Sequence, residues 1–320
     1  MAAERWMLQT KKADFHEMAG IHHITPVTAR IIRNRDIVGA EAVEKYLRGS
    51  LKDLYSPHLL KDMDLAVEIL KGKTAQGKRI RIVGDYDIDG VCSTYLLYRA
   101  LTRIGANVDY EIPDRIKDGY GINESIIRAA ADDGVDTILT CDNGIAAVEQ
   151  VRLAKELGLT VLITDHHDIM QEEGRDVLPP ADAVVNPKQS GCSYPYPEIC
   201  GGMVAYKLVK ALYEAFSVPE EEWLSMLEFA AIATVGDVMK LRDENRIIVK
   251  EGLKRIADTK SIGLLKLIER NDLDKDHISA YHIGFVIGPC LNAGGRLLTA
   301  KLALALLLCE DGEEADRLAM

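Results

Sequence analysis

Long apolar runs and an apolar leader are both missing from this chain of 320 residues. The longest uninterrupted apolar stretch, residues 302–309, is far shorter than the roughly 20 residues that a membrane-spanning helix needs. Residues 1–5 contain no apolar signal region. We therefore expect a cytoplasmic protein that does not associate with a membrane.

Paired cysteines are also missing. None of the six cysteines forms a C-x-x-C pair, which argues against a zinc site or a redox pair. We expect most of them to be small buried side chains. The hydrophobic share of 48% and the charged share of 28% are typical of a globular protein, and the length suggests about two domains.

Positive charge is in deficit. The 39 Lys and Arg residues are outnumbered by 50 Asp and Glu residues, for a formal charge of -11. The chain therefore lacks the overall basic character of many nucleic-acid-binding proteins. Any polyanion that it binds must meet a local basic patch or bound metal cations.

Short apolar runs alternate with amphipathic stretches in residues 79–200. The predicted strands are 79–83, 107–112, 136–140, 160–164 and 183–185. The predicted crossover helices are 91–104, 122–132 and 145–157. This alternation predicts an α/β fold with a parallel β-sheet flanked by helices and joined by right-handed crossovers.

Helical patterns dominate on both sides of that core. Residues 1–78 are predicted to be a helical lead-in, and residues 201–312 a helical part of the same fold. The clearest helices of the second part are predicted at 203–216, 220–235, 247–256 and 262–269. Residues 313–320 begin a helix with no stop signal, so we expect the chain to be cut from a longer protein.

Acidic and imidazole side chains follow three of the predicted strands. Asp85, Asp87 and Asp89 come directly after the first strand, where such a cluster would repel itself and raise its pKa values without a cation. Asp142 follows the third strand, and the run 165–168 (Asp-His-His-Asp) follows the fourth. Because ligands bind outside the carboxyl ends of parallel strands, we expect these groups to meet at one edge of the sheet.

Hard oxygen ligands with a few imidazoles favour Mn²⁺ or Mg²⁺. Enough carboxylates are present for two ions about 3.5–4 Å apart that clamp a phosphoryl centre. Each group also has a simpler interpretation on its own. Asp89 could cap a helix, Asp142 with the Asn-Gly that follows could form only a turn, and the histidine pair could be structural. These simpler interpretations become less convincing when the three groups are considered jointly, because all three lie at strand ends of one sheet.

The motifs resemble those of the DHH phosphoesterase superfamily, named after the sequence found here as Asp165-His166-His167. Within it, they are similar to the RecJ family of single-strand-specific 5′→3′ exonucleases, from about residue 79 to the end of the chain. The matching segments are 83–90, 112–115 with 119–121, 140–144, 185–187, 233–238 and 288–297. Each segment alone is a weak signal, whereas six in order are a strong one.

The resemblance implies a set of metal ligands and a catalytic set. The implied ligands are Asp85, Asp87, Asp89, Asp142, His166 and Asp237. The implied catalytic residues are Asp87, Asp142, His166, His167 and Asp237. Many relatives have a histidine at the position of Val83, and Asp85 is expected to compensate for its absence. Without the resemblance, Asp237 would be interpreted as an ordinary exposed acid after a helix.

Three residues are candidates for binding a substrate phosphate: His167, Asn292 and Arg296. His167 is also a candidate for acid–base work. Arg296 follows a predicted turn of small residues and suits bidentate phosphate binding, although a surface salt bridge is the simpler alternative. Tyr86 and Tyr120 could stack on bases, but packing is the more common role of such residues.

The activity that the resemblance implies is metal-dependent hydrolysis of single-stranded DNA from the 5′ end, releasing 5′-mononucleotides in repair and recombination. Two Mn²⁺ or Mg²⁺ ions would activate the attacking water. A monomer is expected, with single-stranded DNA as substrate and a single-stranded-DNA-binding protein and a helicase as candidate partners.

The chain departs from that family in lacking the DHH-associated domain and the OB-fold, so weak activity is expected. Two alternatives stay open. One is a DHH phosphodiesterase for smaller substrates such as oligoribonucleotides, cyclic dinucleotides or phosphoadenosine phosphate. The other is a non-catalytic replication scaffold of the same superfamily.

Overall fold

A parallel five-stranded sheet forms the centre of the molecule. The computed structural model of the chain describes residues 7, 11–114, 119–297 and 300–320, without the side chains of residues 293–297. The five strands are β1 (Arg79–Val83), β2 (Asn107–Glu111), β3 (Thr137–Cys141), β4 (Thr160–Thr164) and β7 (Ala183–Val185). A small antiparallel hairpin of β5 (Gln171–Glu172) and β6 (Arg175–Asp176) precedes the last strand. The predicted strands are therefore confirmed to within one residue at each end.

The strand order is β2-β1-β3-β4-β7, and all neighbours are parallel. From β1 the chain first adds β2 on one side and then β3 on the other, which places a topological switch point between β1 and β3. A crevice forms at the carboxyl ends of the strands at such a point. The loops that follow β1 and β3 therefore meet at the rim of this crevice.

Helices account for most of the remaining chain. Before the sheet lie α1 (Phe15–His22), α2 (Pro26–Asn34), α3 (Ala40–Arg48) and α4 (Met63–Ala75), with short 3₁₀ helices at Leu51–Asp53 and Pro57–Leu59. Between the strands lie α5 (Ile88–Arg103), α6 (Glu124–Asp132) and α7 (Val148–Glu156). After the sheet lie α8 (Gly201–Ala215), α9 (Glu220–Leu224), α10 (Leu227–Gly236), α11 (Asp243–Ile256), α12 (Ile262–Arg270), α13 (Ala280–His282), α14 (Gly288–Leu297), α15 (Ala300–Leu308) and α16 (Gly312–Leu318), with a 3₁₀ helix at Lys275–His277 and a π-helical turn at Ile283–Ile287.

The helix predicted at 220–235 is in fact two helices, α9 and α10. The Ser225 hydroxyl donates a hydrogen bond to the carbonyl of Glu222, and the amide of Met226 bonds to the carbonyl of Trp223. These short-range bonds tighten the chain between the two helices and end the α-helical pattern. Among the described helices, none combines the length and apolar character that crossing a membrane requires.

The sheet is covered on both faces. Along β3 and β4, alternate residues point to opposite sides: Leu139 and Leu162 join one buried cluster, whereas Ile138 and Val161 join another. The first cluster also contains apolar residues of α4, α5, α8, α10, α11, α12 and α15, and the second contains those of α6 and α7. Because the sheet and the helices after it share the first cluster, their relative position is fixed by a common core.

A buried ion pair joins α8, α11 and the segment before α4. The ammonium of Lys207 lies 2.6 Å from Glu244 Oε1 and donates to the carbonyl of Tyr55 at 2.6 Å. Glu244 also accepts from the Tyr55 amide at 2.6 Å and from the Tyr194 hydroxyl. The two charged side chains are 1% and 0% exposed, so each depends on the other to offset its loss of water.

We expect Lys207→Ala to lower the free energy of unfolding by about 3–5 kcal/mol, because it leaves the buried Glu244 carboxylate without its cation. Urea denaturation followed by circular dichroism measures this loss. Lys210→Ala is the matched control, since the Lys210–Glu214 pair on the same helix is partly exposed, at 28% and 47%, and its loss should cost less than about 1 kcal/mol. Equal losses for both variants would contradict a special role for the buried pair.

Candidate metal centre

The loop after β1 carries the first aspartates and starts α5. Asp87 Oδ1 accepts hydrogen bonds from the amides of Asp89 at 2.9 Å and Gly90 at 3.0 Å, so Asp87 is the N-cap of α5. The simpler interpretation of Asp89 as the cap is therefore wrong. Asp89 lies in the first turn instead, where its side chain points into the protein and is buried.

Asp85 is buried at the start of the same loop. Both of its carboxylate oxygens are shielded from solvent without a well-aligned hydrogen-bond donor among the described residues. Burial, and then repulsion from Asp87, raises the pKa of Asp85 to about 7, while nearby backbone amides lower it only in part. A buried carboxyl group in this state can gain a cation at little further cost of desolvation.

Asp89 connects the sheet to the helices that follow it. Its two carboxylate oxygens accept hydrogen bonds from the amides of Gly201 and Gly202, each at 2.7 Å, at the N-terminus of α8. Burial nevertheless raises the pKa of Asp89 to about 6, although His166 opposes this effect. The helix terminus therefore holds the carboxylate in place without neutralising the cluster.

Asp142 follows β3 in a left-handed backbone conformation with φ of 61°, which aspartate tolerates better than most residues. Its neighbour Asn143 donates to the carbonyls of Val83 and Cys141 at 3.0 and 2.9 Å, and so ties the ends of β1 and β3 together. Burial, and then repulsion from the other aspartates, raises the pKa of Asp142 well above its usual range. The turn that follows β3 is therefore also part of the candidate metal centre.

His166 lies among three carboxylates. Its Nε2 is 3.1 Å from Asp142 Oδ1, 3.6 Å from Asp89 Oδ2 and 3.8 Å from Asp237 Oδ2. Burial lowers the pKa of His166, which favours the neutral imidazole that metals require. Its Nδ1 and Asp142 Oδ1 are both buried without a hydrogen bond among the described residues.

Asp165 positions the histidine pair. Its Oδ1 accepts from the amides of His166 at 2.7 Å and His167 at 3.1 Å, and lies 2.7 Å from His167 Nδ1. Burial raises the pKa of Asp165, but these hydrogen bonds outweigh that effect and lower it. The same contact raises the pKa of His167, which therefore keeps its proton more readily than an ordinary histidine. The hydroxyl of Tyr120 lies 3.2 Å from His167 Nε2 and donates to the carbonyl of Asp142 at 2.9 Å.

Asp237 reaches the site from the helical part of the chain. It follows α10, its amide bonds to the carbonyl of Ala233 at 2.9 Å, and its side chain is half-buried rather than freely exposed. Burial, and then repulsion from Asp87, raises the pKa of Asp237 to about 6. The exposed-acid interpretation is therefore wrong for this residue.

Within the described part of the chain, three overlapping trios of side chains can each hold a metal ion. In every trio the ligand atoms lie within 4.8 Å of one another. The trios are Asp85 with Asp87 and Asp142, Asp89 with His166 and Asp237, and Asp142 with His166 and His167. These carboxylates and imidazoles, predicted from separate parts of the sequence, therefore come together at the carboxyl edge of the sheet. The donor set is rich in oxygen and fits a hard divalent cation.

Asn292 and Arg296, the two phosphate-binding candidates near the C-terminal end, have different outcomes. Asn292 is half-buried on α14, and its Oδ1 is shielded without a hydrogen bond among the described residues. The side chain of Arg296 lies outside the described part of the structure. The turn predicted at 292–295 is wrong, because these residues continue the helix Gly288–Leu297. Packing within a helical segment here outweighs the weak helix propensity of the two glycines.

Sequence reasoning missed the glycines at the start of α8. A Cβ atom at Gly201 would lie 2.6 Å from both Cβ and Oδ1 of Asp142, and one at Gly202 would lie 2.5 Å from Cβ of Ala233. Only glycine allows the helix terminus to approach the carboxylates this closely. Two adjacent glycines opening a predicted helix were the signal available in the sequence.

The family of the chain can now be stated. Residues 79–236 match the family model described as "DHH family, N-terminal domain". The chain belongs to the DHH family.

Relatives within that family are RecJ proteins. "Single-stranded-DNA-specific exonuclease RecJ" of Bacillus subtilis (strain 168) is 41% identical over 316 residues, which are 98% of this chain and 39% of the relative. Crystal structures of RecJ from Thermus thermophilus in complex with Mn²⁺ and with Mg²⁺ align with TM-scores of 0.78 and 0.70, at 32% and 30% identity. Each alignment covers 95% of this chain, and 42% and 39% of those chains. The chain thus spans less than half the length of these relatives.

We expect Gly201→Ala to lower the free energy of unfolding by about 1–3 kcal/mol, because the added methyl group overlaps Asp142. Urea denaturation tests this. Gly72→Ala on α4 is the matched control: no atom lies within 4 Å of its added methyl group, so the substitution should be neutral or stabilising by up to about 1 kcal/mol. A Gly201→Ala variant as stable as the parent would show that the close approach is unimportant.

Proposed function

We propose that this chain is the hydrolytic core of a metal-dependent phosphodiesterase, a 5′→3′ exonuclease that releases 5′-mononucleotides from single-stranded DNA in repair and recombination. One observation carries the proposal: seven acidic and imidazole side chains converge in three overlapping trios at the switch point of the sheet. The similarity to RecJ exonucleases supports the choice of substrate.

The residues present fit a divalent metal ion. Both oxygens of Asp85 and Oδ1 of Asp142 are buried without a well-aligned hydrogen-bond donor among the described residues. Buried polar atoms are nearly always paired, so these atoms lack a partner that a cation would provide. The residues that would hold Mn²⁺ or Mg²⁺ are Asp85, Asp87, Asp89, Asp142, His166 and Asp237. When bound, such ions supply positive charge that stabilises a phosphodiester under attack, and they acidify water.

His167 is the side chain that we assign to the substrate phosphate. Asp165 holds its Nδ1 at 2.7 Å and favours the protonated ring, so Nε2 can donate a hydrogen bond to a phosphate oxygen. The Tyr120 hydroxyl lies 3.2 Å from the same Nε2, so a bound phosphate oxygen would replace or share that contact. Asn292 and Arg296 complete the proposed phosphate-binding set, on the strength of the family resemblance of the segment 288–297.

Metal binding should stabilise the protein in a pH-dependent way. The raised pKa values of Asp85, Asp89 and Asp237 mean that the metal-free fold binds protons that the unfolded chain has released. The free energy of unfolding without metal should therefore fall as the pH rises from about 4 through 7. Mn²⁺ replaces those protons, so its increase in melting temperature should be larger at pH 8 than at pH 5.5. Thermal unfolding at both pH values measures this difference.

Asp142→Asn should lose most of the Mn²⁺-induced increase and be at least as stable as the parent without metal, because the amide buries no charge. Asp168→Asn is the matched control, since Asp168 follows the histidine pair but is exposed and belongs to none of the trios. A parent protein indifferent to Mn²⁺ at both pH values would contradict the metal centre and favour a non-catalytic scaffold.

Degradation of 5′- and 3′-labelled single strands in Mn²⁺ or Mg²⁺ tests the activity itself. We expect mononucleotides to be released from the 5′ end, and Asp87→Ala or His166→Ala to lower turnover by at least about 100-fold. Asp168→Ala should retain the parent rate. Release from the 3′ end would contradict the assigned polarity. Turnover of dinucleotides with no turnover of longer strands would favour a phosphodiesterase for small substrates.

A further inference from the structure

Few aromatic side chains are exposed in the part of the chain that the structure describes. The three most exposed rings among the residues that the structure describes are Tyr120 at 52%, Tyr281 at 64% and Phe285 at 71%. Tyr120 borders the metal centre through its contact with His167, with ring centroids 5.7 Å apart. The other two rings have no part in the site described so far.

Tyr281 and Phe285 form a stacked pair on the surface. Their ring centroids are 5.0 Å apart and their planes are inclined by 29°. Tyr281 lies on α13, and Phe285 lies in the π-helical turn that follows it. Ile283 and Ile287 of that turn are fully buried, so the turn is anchored while both rings remain in solvent. The pair is therefore a fixed apolar surface rather than two separate flexible side chains.

The segment 281–288, which carries this pair, packs against two of the elements that form the metal centre. A Cβ atom at Gly284, which precedes Phe285, would lie 3.8 Å from Val235, two residues before Asp237. One at Gly288 would lie 3.3 Å from Ile88, which separates Asp87 from Asp89. The segment that carries the stacked pair thus packs beside α10 and the start of α5, which present Asp237 and Asp89, whereas Tyr120 lies beside His167.

We propose that Tyr281 and Phe285 are a stacking platform for an unpaired base of the strand whose phosphodiester lies at the metal centre. This inference rests on the proposed function and extends it to a base-binding subsite. Aromatic rings stack on any base, because every base has a π-face, and so they bind without sequence preference. A base within a duplex has both faces covered by its neighbours, so such a platform favours single strands.

The surroundings of the pair favour a base over a polypeptide. The exposed residues nearest to the two rings in sequence are Ser279, Gly284 and Pro289, and no row of large exposed aliphatic side chains continues the surface among residues 279–289. A protein interface of ordinary size needs about 800 Å² on each partner. Two stacked rings on a segment that packs against elements of the metal centre match the size of one or two bases instead.

Two fluorescent oligonucleotides test the proposal. One is a thymidine strand, and the other has the same phosphorothioate backbone with abasic sites in place of the bases; both resist hydrolysis. Fluorescence anisotropy in Mn²⁺ measures the dissociation constant of each. The variants are Phe285→Ala and Tyr281→Ala, with Phe285→Trp as the conservative change. Val27→Ala on α2 is the control, since Val27 is 68% exposed.

The parent should bind the thymidine strand more tightly than the abasic strand. Each alanine variant should weaken binding of the thymidine strand by about 10- to 100-fold and leave binding of the abasic strand unchanged. Phe285→Trp and Val27→Ala should behave like the parent. An unchanged Mn²⁺-induced increase in melting temperature shows that the alanine variants keep the fold and the centre.

Equal binding of the two strands by the parent, or equal weakening of both in the variants, would overturn the platform. A change in oligomeric state on sedimentation of Phe285→Ala, without a base-dependent loss, would show that polypeptide covers the rings. A parent that hydrolyses single strands but fails these tests would refute only the platform. Base-dependent binding without hydrolysis would refute only the proposed activity.

Discussion

The structure depends on keeping several carboxylates of like charge in a space where water is largely excluded. Asp85, Asp89 and Asp142 are almost fully buried, and their pKa values are raised by burial first and by mutual repulsion second. Such a cluster opposes folding unless protons or cations neutralise it. The centre is therefore a region in which stability is given up for the capacity to bind positive charge.

Backbone amides and the side-chain amide of Asn143 offset part of this cost by holding the carboxylates and their loops in place. The amides of Gly201 and Gly202 bind Asp89, and Asn143 ties the loop of Asp142 to β1. These contacts connect the sheet to α8, and the shared apolar core continues that connection to α10. Asp237 therefore lies close to His166, which comes much earlier in the chain, because α10, which precedes Asp237, packs against α5 and α8.

Most of this arrangement could be predicted from two features of the sequence: the periodicity of its apolar residues and the residues that follow each predicted strand. The parallel sheet and the aspartates at its carboxyl edge follow from alternating apolar runs, since topology brings the ends of parallel strands together. Asp237 could not be placed in this way, because a helix terminus has no fixed relation to a sheet before tertiary packing is known. Only the family motif identified it.

Other features depend on three-dimensional contacts that no local pattern encodes. Gly201 is required by the position of Asp142, much earlier in the chain, and Gly202 by Ala233, much later in it. The turn predicted at 292–295 is a helix, because glycine propensity is weak beside tertiary packing. The stacked pair of Tyr281 and Phe285 has an i, i+4 spacing that also suits a buried helix face, so its exposure became evident only in the structure.

The central claim is that Asp87, Asp142, His166 and Asp237 share divalent cations. Anomalous diffraction from crystals grown with Mn²⁺ tests it most directly, because manganese can be located independently of the protein atoms. The account predicts anomalous peaks about 2.0–2.6 Å from the carboxylate oxygens and from His166 Nε2. Crystals saturated with Mn²⁺ whose anomalous peaks all lie elsewhere, with these side chains turned away from one another, would contradict it.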